Sequence, residues 1–249
     1  VLLREVIFRA ARNRLLQTQK QLDRTLQGVL PQFASPERPD KLTIERNSAI
    51  LHEIRQKSEA ARVLGSMASG HREVFELCER YLSVNGRELA SVSSGSPRLA
   101  ALLRGKDVAE EIHRYHTLQW AEVEARALGS EARVKTKPTE KIKFAGMALS
   151  VVESAMRYYP EEPKLRDSAQ ALNEFIVTAK ISGWIDKAER AAFRGNYKLA
   201  RKHYNEALFF ISREGQNVAG CQLAEGRLNE ELEKLNQIEA ESVSKTSQK

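Results

Sequence analysis

A chain of 249 residues, 41% apolar and sparing in Gly and Pro (13 and 7), is long enough to bury a sizeable core and too apolar to stay disordered. Its formal charge of +7, from 40 Lys and Arg against 33 Asp and Glu, favours solubility and suits an anionic partner only where the cations gather on one face. Two distant cysteines, Cys78 and Cys221, give no disulfide framework and read as buried thiols in a reducing compartment, and no run of about 18 apolar residues suggests a membrane span.

Ala, Leu, Glu, Lys, Arg and Gln dominate the composition, and runs of alternating β-branched residues are missing. The expected fold is all-α, an antiparallel array of about seven or eight helices. The first helix is predicted over residues 2–27. It carries Arg4, Arg9, Arg12 and Arg14 against Glu5 and Asp23. A basic segment opening on Val1 is the pattern expected just after a membrane anchor, on its cytoplasmic side. The same pattern also describes an ordinary amphipathic helix with a solvated face. Pro31, Pro36 and Pro39 then stop the helix.

Asp40 or Thr43 can cap the second helix. Residues 42–84 are predicted as one long helix or as two with a bend near 65–70, where Gly65 and Gly70 weaken the run. Ser96 and Pro97 form a cap and first-turn pair that opens a short helix closed by Gly105. Asp107 is expected to cap the next helix, with the stripe Val108, Ile112, Tyr115 and Leu118, ending at Gly129. After the basic connector around Pro138, helices are predicted to about Tyr159, from Pro163 to Phe193, onward to Gly215, and over residues 221–240 with Leu228, Leu232, Leu235 and Ile238 on one side. Residues 1–90 are expected to form a long-helix hairpin, 97–243 a compact helical array, and 244–249 a flexible tail.

The most patterned stretch is residues 184–208, WIDKAERAAFRGNYKLARKHYNEAL. Gly195 and Asn196 can take the left-handed backbone that ends one helix. Ala188, Ala200 and Ala207 let two helix backbones approach, and Tyr197 and Tyr204 fill the wedge. In order and spacing, Trp184, Ala188, Gly195, Tyr197, Ala200, Tyr204 and Ala207 resemble a tetratricopeptide repeat (TPR). Lys187, Ala191 and Ser212 depart from its pattern. Ala148, Val152, Ala155 and Pro160 make a partial second copy 52 residues upstream. The run GNYxxAxxxYxxAL also resembles the start of a microtubule-interacting-and-trafficking module, with residues 221–240 as its third helix. The tetratricopeptide resemblance implies a docking surface and would aim Ile185, Glu189 and Phe193 at a protein or peptide partner.

Chemistry finds less support. Glu110, His113 and His116 stand one turn apart in EEIHRYH, a spacing used in di-iron bundles. No second copy exists, so a helix surface with His paired to Glu is the expectation, with no metal and no cofactor. No HExxH, GxSxG, Gly-rich phosphate loop or Cys-His cluster is present. Basic residues at 4–24, 133–143 and 187–202 are interleaved with acidic ones, which disfavours nucleic acid. The expectation is a cytoplasmic, non-catalytic protein-interaction or scaffold protein. The alternatives are a membrane-proximal domain behind an N-terminal anchor and a basic nucleic-acid-binding bundle.

Overall fold

Seven helices account for the architecture that the computed structural model describes, which covers residues 42–215 and 221–246. They are α1 (Ile44–Val63), α2 (Ala68–Ser91), α3 (Pro97–Val134), α4 (Pro138–Met156), α5 (Pro163–Phe193), α6 (Tyr197–Glu214) and α7 (Cys221–Thr246). No strand occurs among the described residues. Each helix packs on its chain neighbour through a short connection, and α1 packs on α3 as well as on α2. The helix expected over residues 2–27, with Arg4, Arg9, Arg12 and Arg14, lies outside the described residues.

The described residues from 42 onward form one compact unit. The boundary expected between residues 90 and 97 falls in the connection between α2 and α3. There α2 and α3 pack side by side and share a core of Leu51, Ile54, Val74, Cys78, Leu102 and Ala109. A second core joins α5, α6 and α7 through Val177, Ile181, Tyr204, Ile211, Leu228 and Leu235. Between them lies a thin third core of Ala121, Val152, Ala155 and Leu165, from α3, α4 and α5.

Local chemistry explains most of the helix ends. Thr43 accepts a hydrogen bond from the Arg46 N–H at 3.2 Å and starts α1. The run 42–84 reverses rather than bends. Ala61 sits against Gly70, whose missing side chain leaves room for the start of α2 beside the end of α1. Ser96 accepts from the Arg98 N–H at 3.3 Å, with Pro97 in the first turn. The Asn196 side chain caps α6 by accepting from the Leu199 N–H at 3.1 Å. Gly195 has φ +74°, the left-handed conformation needed to close α5.

Two expected glycine stops are helix interior instead. The helix α3 runs 38 residues, about 57 Å, through both Gly105 and Gly129. Gly105 is a site of close approach. The Tyr81 hydroxyl lies where its Cβ would stand, and a Leu51 methyl would be 3.1 Å away. Tyr81 donates to Asn47 Oδ1 at 2.7 Å, and Asn85 Nδ2 donates to Tyr81 Oη at 3.0 Å and to the Leu102 carbonyl at 3.1 Å. Asn47 Nδ2 donates to the Ala101 carbonyl at 3.3 Å. The network ties α1, α2 and α3 together, and one glycine makes room for it. The buried face of α3 therefore passes through Leu102, Gly105, Ala109, Ile112 and His116, which turns Tyr115 outward, contrary to the expected stripe. On α7, Leu228 and Leu235 are buried while Ile238 is exposed.

In the C-terminal hairpin, Ala188, Ala200 and Ala207 are fully buried and Tyr204 is nearly so. Ala148, Val152 and Ala155 of α4 are buried at the spacing of Ala200, Tyr204 and Ala207.

Two glycines in helix interiors should respond oppositely. Gly105→Ala is expected to destabilise by roughly 1–3 kcal/mol by overpacking against Tyr81. Gly86→Ala, where an added Cβ meets open space, is expected to stabilise by about 0.5–1 kcal/mol. Urea denaturation of both variants checks the pair.

Candidate functional site

The α3–α4 and α4–α5 hairpins share α4, and this leaves a trough. Both α3 and α5 pack on α4 rather than closely on each other, so a groove of about 630 Å³ opens between them. Its floor is Ala145 and Val152 of α4. One wall is Ala121, Ala125, Gly129 and Ala132 of α3, and the other is Leu165, Ala171, Leu172 and Phe175 of α5. Small residues at intervals of four, four and three place one nearly bare stripe along α3. Glu122 and Arg126 pair with each other on the α3 rim. At one end Glu162 binds Arg114 at 2.9 Å, with Lys164 and Asp167 beside it. At the other end Arg133 stands over Gly129.

The residues expected to face a partner are only partly so placed. Phe193 is 94% exposed, and Glu189 is exposed. Ile185 is half-buried against the α5–α7 core, so it belongs to packing. The reason is helical phase. The buried face of α5 passes through Ile181 and Ala188, and Ile185 flanks it. The Glu189 and Glu231 carboxylates, after burial itself, push the Tyr204 phenol upward in pKa.

Continuing along α5 links this hairpin to the groove. Asp167, Ala171 and Phe175 recur as Ile185, Glu189 and Phe193 about eighteen residues on, which is five turns at 3.6 residues each. The phase of α5 that lines the groove thus returns at the exposed Phe193, with Ile185 between them taken up by packing.

The histidines of EEIHRYH are not a surface pair. His113 and His116 both point inward and are buried. His113 Nδ1 and the Tyr159 hydroxyl share a 2.6 Å hydrogen bond, while burial pushes His113 down and Tyr159 up to about 12. Phe75 and Tyr158 pack on His113, Trp120 packs on Phe75, and Tyr158 donates to Glu79 at 2.9 Å, which fastens the end of α4 to α2. Among the described residues, no group of three or more His, Cys, Asp or Glu could hold a metal ion.

His116 joins three helices. Its Nε2 lies 2.8 Å from Ser58 Oγ on α1, and its Nδ1 lies 2.8 Å from His71 Nδ1 on α2. One of the two facing nitrogens must donate to the other, and burial favours the neutral form of both rings. The order hydroxyl, imidazole, imidazole is one that can activate a serine. Ser58, however, is 2% exposed and His116 is fully enclosed, so no reacting carbon can come within reach of the hydroxyl. The triad is a structural cross-link. Burial first, then His71 and Arg62, hold His116 down at about 4, and burial also lowers His71.

Sequence reading missed both the groove and this cross-link. The small-residue interval in AEVEARALGSEA was a signal for the first. The second had none, because Ser58, His71 and His116 come from three helices. No helix among the described residues is long and apolar enough to cross a membrane. No protein-family model, curated protein or solved structure matches the chain.

Acid should unlock the His71–His116 cross-link. An unfolded histidine takes up a proton near pH 6.5, and folded His116 does so only near 4, so the unfolded state binds more protons between those values. Stability is expected to be full above pH 6.5 and to fall as pH drops towards 4, with a loss at pH 5 of about 2 kcal/mol from His116 alone. Urea denaturation at pH 8 and pH 5 measures this, and His116→Gln should remove most of the difference.

Proposed function

We propose that this protein is a non-catalytic docking scaffold that holds a partner protein along one face of α5, from the α3–α5 groove to the tip of the tetratricopeptide-like hairpin. The observation that carries the reading is the groove itself. Its third core contains four buried apolar residues, two of them alanines, and its rim residues Leu118, Ala125 and Leu172 are left half-buried. The floor and Ala121, Gly129 and Ala132 of α3 are already buried, so the spare apolar surface is that of the rim, with Phe175 half-buried and Ala171 exposed, and covering it is favourable by about 25 cal/mol per Å². Phe193 extends the apolar face beyond the groove, at a position where a polar residue would be solvated without cost. Helices supply a rigid frame for such a surface, since their backbone groups are satisfied internally.

Substitutions on this face should change binding without changing the fold. Ala171 and Phe193 are exposed, so Ala171→Trp, which fills the groove, and Phe193→Ser are expected to leave the melting temperature within about 2 °C of the parent. Affinity capture from native lysate followed by mass spectrometry should show partners lost from both variants. Retention of the same partners by both would sink the docking reading.

A further inference from the structure

We infer that the groove takes an amphipathic α-helix of a partner protein, lying antiparallel to α4 with its C-terminal turn, bearing a carboxylate, beside Arg133. This rests on the docking reading and specifies its ligand.

The molecule contains its own precedent. The helix α1 seats on α2 and α3 through Asn47, Leu51, Ile54, Ser58 and Ala61, a single seam at alternating steps of four and three. The layer of α3, α4 and α5 likewise offers a seat between two helices, with α4 beneath them. Among the described residues no further helix packs on both walls. From Leu118 to Arg133 the groove is about 22 Å long, the length of a helix of about 15 residues.

Backbone chemistry chooses a helix over an extended peptide. Every wall of the groove is a helix, whose N–H and C=O groups are already paired, so no free edge is offered to a strand. An extended segment would bury unpaired backbone groups in an apolar trough, and each would lose its hydrogen bonds to water without replacement. A helix brings its own hydrogen bonds, and its apolar side chains would meet the rim residues Leu118, Ala125, Ala171, Leu172 and Phe175, since the small residues beneath are already buried.

Charge complementarity sets the direction. At the Leu118 and Leu165 end, Glu162 is bound by Arg114, and Lys164 and Asp167 offset each other. At the opposite end Arg133 is the charged residue that lines the groove, with exposed Lys137 on the adjoining turn. That end is positive. A helix presents about half a negative charge at its C-terminus, and a carboxylate in its last turn adds to it. The favoured ligand therefore runs with its C-terminus towards Arg133.

The test uses the full chain and two fluorescent synthetic helices of about 16 residues. Both carry the same Leu/Ala seam and the same composition. One has glutamates in its last turn and lysines in its first, and the other has the reverse. Fluorescence anisotropy is expected to show the first binding at least ~10-fold more tightly, Arg133→Glu reversing the order, and Ala171→Trp abolishing both. Equal affinities that Ala171→Trp still abolishes would overturn the polarity and leave the docking face standing. Binding indifferent to Ala171→Trp, or none by either peptide, would overturn the helical ligand. Sedimentation of the chain alone covers the other occupant: a dimer that Ala171→Trp makes monomeric would assign the groove to a second copy and overturn the inference.

Discussion

Ala145, Ala148, Val152 and Ala155 form one stripe on α4, all of them essentially inaccessible to water, and both flanking helices pack against this short helix. Side chains this small bring helix axes close but fill little space between them. The same geometry has two effects. The array holds together through its middle because α3 and α5 each reach the α4 backbone. A trough remains above the stripe, because no large side chain rises from the floor to fill it. Replacing small residues with large ones in such a seam trades the trough for strain.

The first three helices solve the packing problem differently. Their core is crossed by two polar linkages, Asn47–Tyr81–Asn85 towards one end and Ser58–His116–His71 towards the other. Buried hydrogen bonds of this kind add little net stability, but they punish any other register, because each broken partner would be left dry and unpaired. Gly105 is the steric condition of the first linkage, and the depressed basicity of the two rings is the electrostatic consequence of the second. The N-terminal part of the described unit is thus set by directional bonds and the C-terminal hairpin by alanine contact.

The groove and the hairpin tip owe their alignment to α5. It runs unbroken for 31 residues, from Pro163 in its first turn to the left-handed Gly195 just beyond its end. An uninterrupted helix keeps its phase from the groove to the hairpin tip, so Phe175 and Phe193 share a line although different neighbours flank them. A break near Gly183 would have separated them. There, Pro138 of α4 sits 3.2 Å from where a Cβ would be, so the glycine admits a neighbouring helix and the chain does not turn.

Local chemistry was enough to specify the helical class, the Ser96–Pro97 start, the span Pro163–Phe193, the turn at Gly195 and the buried alanines of the last hairpin, since capping, proline placement and left-handed glycine act within a few residues. It failed where a residue's meaning lay on another helix. Gly105 and Gly129 look like stops until Tyr81 and the bare stripe of α3 are in place, and His113 and His116 look like surface residues until Tyr159, Ser58 and His71 enclose them. Ile185 looks available until α6 and α7 cover its side of α5. The groove is the extreme case, because it consists of the distance between two helices that are joined only through a third. Sequence by itself determined where the chain is helical and where it reverses; tertiary structure decided which faces are spent on each other and which are left over, because burial is a property of pairs of surfaces and not of residues.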